Sequence, residues 1–249
     1  MQPTLFRLRV AYAKQGRGRF LAHLEVQRAL TRMVRRAGLP YAVSQGFNPQ
    51  MRLATGPALS VAVAGQREYF DIMLTDYVKP MDALLCLQEV EAPYLPTLEA
   101  AYVGTKEPSL NAAITAQVIC VTIEGASDGV TEQALKAGLA ALRARDTLEV
   151  EHKGKTKVFD SATHVPNDIT VVKKGSTVQM TLTLRISNQG SLRPDALLRA
   201  LWQAANLPDP FFSSTGLCGT GSSWNDGLLT MDRIALYCED ADGELRPPL

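Results

Sequence analysis

The chain has 249 residues, 46% of them hydrophobic and 20% charged, and a formal net charge of +1. That is enough apolar material for one full core or two smaller ones, and it argues against a disordered chain. The opening MQPTLFRLRV places arginines where a signal peptide needs an apolar core, and no apolar run reaches the roughly 20 residues that cross a bilayer, so a cytoplasmic protein without membrane contact is expected.

Residues 5–13 (LFRLRVAYA) alternate apolar and polar side chains and are rich in strand formers, which predicts a half-buried strand. A helix follows over 20–37: Val26, Leu30, Met33, Val34 and Ala37 share one side, Glu25, Arg28, Arg32, Arg35 and Arg36 the other, and Gly38-Leu39-Pro40 ends it. Residues 58–63 and 67–75 read as a hairpin turning at Ala64-Gly65-Gln66, with Asp71 and Asp76 explained by a solvated strand face. Pro80 opens a short helix, and a strand over 98–103 completes the order β-α-β-β-α-β.

The same order returns after a linker at 104–112. It comprises a strand over 115–124, a helix over 131–143, an irregular strand region over 147–172, a strand over 178–186, a helix over 194–205 and a strand over 228–238. Lys79-Pro80-Met81-Asp82-Ala83-Leu84-Leu85 matches Arg193-Pro194-Asp195-Ala196-Leu197-Leu198 with one residue inserted, a trace of duplication. The expected fold class is therefore α+β with two tandem ferredoxin-like lobes, 1–105 and 113–249.

Charge is distributed unevenly. Residues 1–60 hold ten cations (Arg7, Arg9, Lys14, Arg17, Arg19, Arg28, Arg32, Arg35, Arg36, Arg52) against one acid, Glu25, so the remainder of the chain is acidic. A one-sided basic segment in a near-neutral chain is the electrostatic footprint of a phosphate-bearing partner, unless acids from elsewhere in the chain neutralise it. Arg17 and Arg19 stand in Gly16-Arg17-Gly18-Arg19 just before the helix, where amide groups and the helix dipole favour an anion, although the spacing is not that of a P-loop.

Between the first helix and the hairpin, 39–57 (LPYAVSQGFNPQMRLATGP) is longer than a compact connection needs. Ser44, Gln45 and Asn48 offer hydrogen-bonding groups around Phe47, a set suited to a nucleobase or a peptide backbone, or to a loop anchored on a buried Phe47. His23 points toward the core at the end of the sheet and suits a satisfied core residue, a substrate contact or acid–base work. His152 and His164 have no ligand-like spacing to it, so no metal is expected. Cys86, Cys120, Cys218 and Cys238 lie too far apart in sequence for a zinc or iron–sulfur motif and read as reduced thiols, Cys218 in the glycine-rich loop 216–223 being the exception.

Across about residues 4–105, Arg19-Phe20-Leu21, His23-Leu24, Arg35-Arg36-Ala37-Gly38-Leu39-Pro40 and Ser44-Gln45-Gly46-Phe47-Asn48-Pro49 resemble the signature of the radical-SAM-linked protein family, a domain of unknown function. Gly190-Ser191-Leu192-Arg193-Pro194 and Arg233 extend the resemblance more thinly. The chain departs from the family pattern at Glu25, where Asp is usual, and at Gln50, where His is usual, which argues against a histidine pair doing chemistry.

The resemblance implies a partner: a radical S-adenosylmethionine protein, which would carry the iron–sulfur cluster and S-adenosylmethionine, with this chain holding no cofactor. It also implies an accessory role connected with RNA or the ribosome. The leading expectation is thus an RNA-binding or substrate-presenting module. His23, Ser44, Gln45, Phe47 and Asn48 would read the substrate, while Arg17, Arg19, Arg28, Arg32, Arg35, Arg36 and Arg52 would hold phosphates. A protein–protein adaptor is the alternative. A pseudouridine-synthase-like enzyme has only fold analogy behind it, because no Arg-Thr-Asp occurs here, and no catalytic residue is assigned.

Overall fold

The structure, a computed structural model, describes residues 4–126, 128–152, 155–187, 190–207, 229–240 and 242–249. They form two compact units, one running to Ile114 and joined by Ala235–Leu249, the other Thr115–Ile234. Both are mixed α+β.

The first unit takes its elements in the order β1 (Phe6–Lys14), α1 (His23–Arg36), β2 (Leu53–Thr55), β3 (Val63–Leu74), α2 (Pro80–Gln88), β4 (Thr97–Val103) and the single turn α3 (Leu110–Ala113). Its strands pair antiparallel in the order β4-β1-β3-β2. The period-2 pattern of β1 and β3 sends Leu8, Val10, Tyr12, Phe70, Ile72 and Leu74 to one face. There they meet Val26, Leu30, Met33 and Val34 of α1 and Ala83 and Leu87 of α2. Helix α1 begins where the Ala22 amide donates to the Glu25 carboxylate at 2.7 Å and ends at Gly38, whose φ of +67° suits glycine. A 3-10 turn, Gly16–Phe20, leads into it.

The opposite face is buried as well, and it holds charge. Asp71 on β3 accepts from Arg7 Nε at 2.8 Å and from Arg9 Nε and Nη2 at 2.7 and 3.0 Å. Arg7 also donates to the carbonyls of Glu107 and Pro108 at 2.8 and 2.7 Å, and Arg9 to that of Pro248 at 2.8 Å. Burial works against the Arg9 charge, but the hydrogen bond and the negative charge of Asp71 outweigh it and hold the guanidinium above its ordinary value. This corrects two readings of the sequence. Asp71 is on no solvated face, and Arg7, Arg9 and the equally buried Lys14 are withdrawn from the basic surface.

The expected hairpin also differs. β3 runs unbroken through residues 64–66, its partner strand is β2, and residues 56–62 form the connecting loop. Pro57 removes an amide that a strand ladder would use, and Ala62 takes a left-handed φ of +69°. Of the apolar run 58–63, Ala62 is buried in the loop and Val63 opens β3, while Ala58 and Val61 are exposed.

The second unit contains β5 (Ile114–Ile123), α4 (Glu132–Arg143), β6 (Thr147–His152), β7 (Lys155–Asp160), the single turn α5 (Ser161–His164), β8 (Thr170–Lys174), β9 (Thr177–Ser187), β10 (Gly190–Ser191), α6 (Pro194–Ala204) and β11 (Leu229–Glu239), which ends in the first unit beside β12 (Leu245–Arg246). β5 lies between β11 and β9, and β8 pairs with β9. Thr131 caps α4 by accepting from the Ala134 amide at 3.2 Å. The helix packs Leu135, Leu139 and Leu142 inward, and Gly138 lies so close to Ala205 that a Cβ would come within 2.8 Å of it. The stretch expected to be irregular strand resolves into the β6–β7 hairpin, α5 and β8.

Replacing Asp71 by Ala leaves two buried guanidinium groups without their counter-charge, which is expected to cost about 3–5 kcal/mol and lower the urea midpoint. Asp76→Ala, at an exposed site, should change stability by less than about 0.5 kcal/mol. Equal midpoints for the two variants would show that the buried cluster is no clamp.

Candidate functional site

Helix α1 carries its charge outward. Arg28, Arg32, Arg35 and Arg36 are all exposed, and Glu25, the acid of that helix, is occupied with the Ala22 amide. Among the described residues none of these four side chains, nor those of Arg17 and Arg52, forms a hydrogen bond or ion pair. Arg28, Arg32 and Arg36 repeat every four residues, about 6 Å apart along the axis. Arg19 is half-buried and belongs to the 3-10 turn.

From the C-terminal end of α1 the chain passes into a narrow excursion. The Ala42 amide donates to Met73 O at 2.7 Å, Val43 bridges Met51, and the Ser44 amide donates to Gln50 O at 2.7 Å. Ser44 Oγ accepts from the Gln50 amide at 2.9 Å, and Asn48 Oδ1 accepts from Gln50 Nε2 at 3.0 Å. These bonds commit Ser44 and Asn48 to shaping the loop and leave Gln45 and Phe47 at its tip. Phe47 is fully exposed, at 112% of its reference area, so it is no buried anchor. The phenyl ring thus presents its apolar faces to solvent on a hydrogen-bonded loop.

His23 lies elsewhere. It stands in the first turn of α1, with Nε2 3.5 Å from Thr55 Oγ1, which also accepts from Gln27 Nε2 at 3.1 Å. With Tyr12, Lys14, Val26, Thr55 and Glu68 it lines a cavity of about 10 Å³, and none of residues 44–48 reaches that cavity. Lys14 and Glu68 are 2% and 4% exposed, two opposite charges in the wall of one small space. Lys14 Nζ also lies 3.4 Å from Ser60 O. The structure thus divides the expected substrate set, with His23 at the cavity and Gln45 and Phe47 at the loop tip.

Lys14, Thr55 and Glu68 were not singled out by the sequence. Lys14 enters there only as one of the ten cations of the basic segment, just past the expected strand 5–13. The signal that could have found them is strand parity: Glu68 shares the face of Phe70 and Ile72.

Among the described residues no group of three His, Cys, Asp or Glu side chains could hold a metal ion, and no helix is long and apolar enough to cross a membrane. Cys86, Cys120 and Cys238 are free thiols. Burial pushes the Cys120 and Cys238 thiols up. Cys218 and the loop 216–223 lie outside the described residues.

Comparison with known proteins finds one family model, described as "Uncharacterized protein conserved in bacteria (DUF2344)", which matches residues 7–194. No curated protein is significantly similar to the chain. A solved structure titled "Crystal Structure of an Unknown Protein from Galdieria sulphuraria" aligns over 92% of this chain and 97% of that one, at 9% identity and a TM-score of 0.25.

The loop that closes over the cavity contains the left-handed Ala62, whose amide donates to Arg19 O at 2.8 Å. An alanine in that conformation costs about 1–2 kcal/mol, and glycine recovers this less about 0.4–1 kcal/mol of chain entropy. Ala62→Gly is therefore expected to raise stability by roughly 0.5–1 kcal/mol, seen as a higher melting temperature. A lower melting temperature would show that the alanine sits there without strain.

Proposed function

The chain belongs to the DUF2344 family of bacterial proteins, and from that premise we propose that it is an RNA-binding accessory module that holds single-stranded RNA along α1 and stacks a base on Phe47. The observation that carries this reading is the combination of four exposed arginines on one helix, none of them ion-paired among the described residues, with a fully exposed aromatic ring on the loop that follows. Arginine guanidinium groups repeated at i, i+4 and i+8 track a phosphate backbone without regard to sequence, and an aromatic face accepts any base. Arg17 and Arg52 extend the cationic surface beyond the helix. Gln45, exposed beside Phe47, offers both a donor and an acceptor to a base edge.

In this reading the two units are tandem ferredoxin-like lobes. The strand orders β4-β1-β3-β2 and β11-β5-β9-β8, each with two helices, support that assignment. The resemblance to radical-SAM-linked proteins supports a cytoplasmic partner that supplies the radical chemistry, with its own cluster and S-adenosylmethionine, while this chain presents the RNA or ribosomal substrate.

A second reading, a protein adaptor, has its own support. Tyr77, Met81 and Leu85 follow one another at four-residue steps, all more than half exposed, along α2 and its approach. They form an apolar stripe suited to another protein, and such a stripe serves the partner equally well if RNA is also bound.

Binding of short oligoribonucleotides should weaken steeply as salt rises. Changing Arg32 and Arg36 together to Ala should flatten the slope of log affinity against log salt by about 1.4, at about 0.7 per phosphate contact on a single strand. Phe47→Ala should cost about 1–3 kcal/mol and leave that slope unchanged. An arginine variant with parental affinity and slope would remove RNA from the account and leave the adaptor.

A further inference from the structure

The cavity at the start of α1 is small, polar and balanced in charge, and these three properties together restrict what can occupy it. Its volume of about 10 Å³ is the room of a single water molecule or one terminal heteroatom. A nucleobase, a phosphate or a carboxylate does not fit. Lys14 and Glu68 set an ammonium against a carboxylate in the same wall, so the space favours neither an anion nor a cation. The group that matches is one that accepts a hydrogen bond from the ammonium and donates one to the carboxylate through the same atom. Besides water itself, the ligand group of that kind is a hydroxyl.

The surroundings hold this pair of charges in place. Tyr12 and Glu68 are direct cross-strand partners, and Gly65 opposes Lys14. A Cβ at Gly65 would stand 2.5 Å from Glu68 Oε1, so glycine makes room for the carboxylate to fold back beside its own strand. An ammonium has three donors and a carboxylate about four acceptor sites, so each can serve a ligand in addition to its neighbours in the wall. His23, Pro57 and Leu59 line the cavity and are themselves only half-buried, which makes them its rim. Phe20, three residues before His23, and Leu24, the residue after it, both expose apolar surface.

Arg28, Arg32 and Arg36 follow His23 along α1, on the exposed face of the same helix. We infer that the cavity is a ribose subsite that takes the 2′-hydroxyl of one nucleotide, with Lys14 donating to it and Glu68 accepting from it. This rests on the RNA reading and deepens it: the cations hold any nucleic acid, and the cavity distinguishes RNA from DNA. The 2′-hydroxyl, both donor and acceptor, is the group by which a protein makes that distinction.

The test uses the full chain and four oligouridylates of one length that differ only at the 2′ position: hydroxyl, hydrogen, fluorine and O-methyl. Hydrogen bonds to charged groups predict that the 2′-hydroxyl form binds at least about tenfold more tightly than each of the others. The fluoro form separates the hydroxyl from sugar conformation, since it keeps an RNA-like pucker and cannot donate. Val26→Met places a longer side chain in the cavity without altering its charges. It should erase the preference while leaving the salt slope intact.

Equal affinity for the hydroxyl and O-methyl forms, with the salt slope present, overturns the ribose subsite and spares the RNA reading. A hydroxyl preference that survives in a folded Val26→Met variant overturns it too, because the discrimination then arises elsewhere. Failure of all four oligomers to bind overturns both.

Discussion

Asp71, held between Arg7 and Arg9, is the interaction on which the first unit depends. Central strands of a small α+β layer usually bury one face and wet the other, yet here β1 and β3 are buried on both. On the helix side apolar side chains suffice. On the other side two guanidinium groups and one carboxylate are withdrawn from water, and they are tolerable there because each guanidinium also donates to backbone carbonyls. Those carbonyls belong to Glu107 and Pro108 after β4 and to Pro248 near the last residue. The two guanidinium groups held by one carboxylate thereby tie two remote pieces of chain to β1 and β3.

That arrangement also decides which cations are left for a partner. Of the ten in residues 1–60, Arg7, Arg9 and Lys14 are buried and Arg19 is half-buried, while Arg17, Arg28, Arg32, Arg35, Arg36 and Arg52 are exposed. Net charge by segment cannot make this division, because a buried arginine and an exposed one count alike. What remains exposed is concentrated on α1, whose own acid serves as a cap. The potential along that face therefore comes from placement, not from the total charge of the molecule.

The helices were legible because their periodicity is strong. Val26, Leu30, Met33 and Val34 in α1 and Leu135, Leu139 and Leu142 in α4 lie buried where their spacing puts them. Pro80 and Pro194 each open a helix at its first position, as the repeated motif implied. The stretch 58–63 misled because its apolar residues match a strand, while the preceding Pro57 and the left-handed Ala62 keep it out of the ladder until Val63 opens β3. Asp71 misled for a related reason: alternation shows which residues share a face, not whether that face is wet. The cavity was the least legible feature, since Lys14, Thr55 and Glu68 meet only through the register of β1, β2 and β3. Phe47 was legible as a candidate, but its exposure depends on the bonds among Ser44, Asn48 and Gln50.

The account's central claim is that RNA lies on the outer face of α1 and reaches Phe47. The most direct measurement is photo-crosslinking of a short 4-thiouridine oligoribonucleotide to the full chain, with the modified residues located by mass spectrometry. The account predicts adducts at Phe47 and within residues 23–36, competed away by unmodified RNA. Adducts confined to residues 115–234, or none above the level seen with a denatured chain, would contradict it.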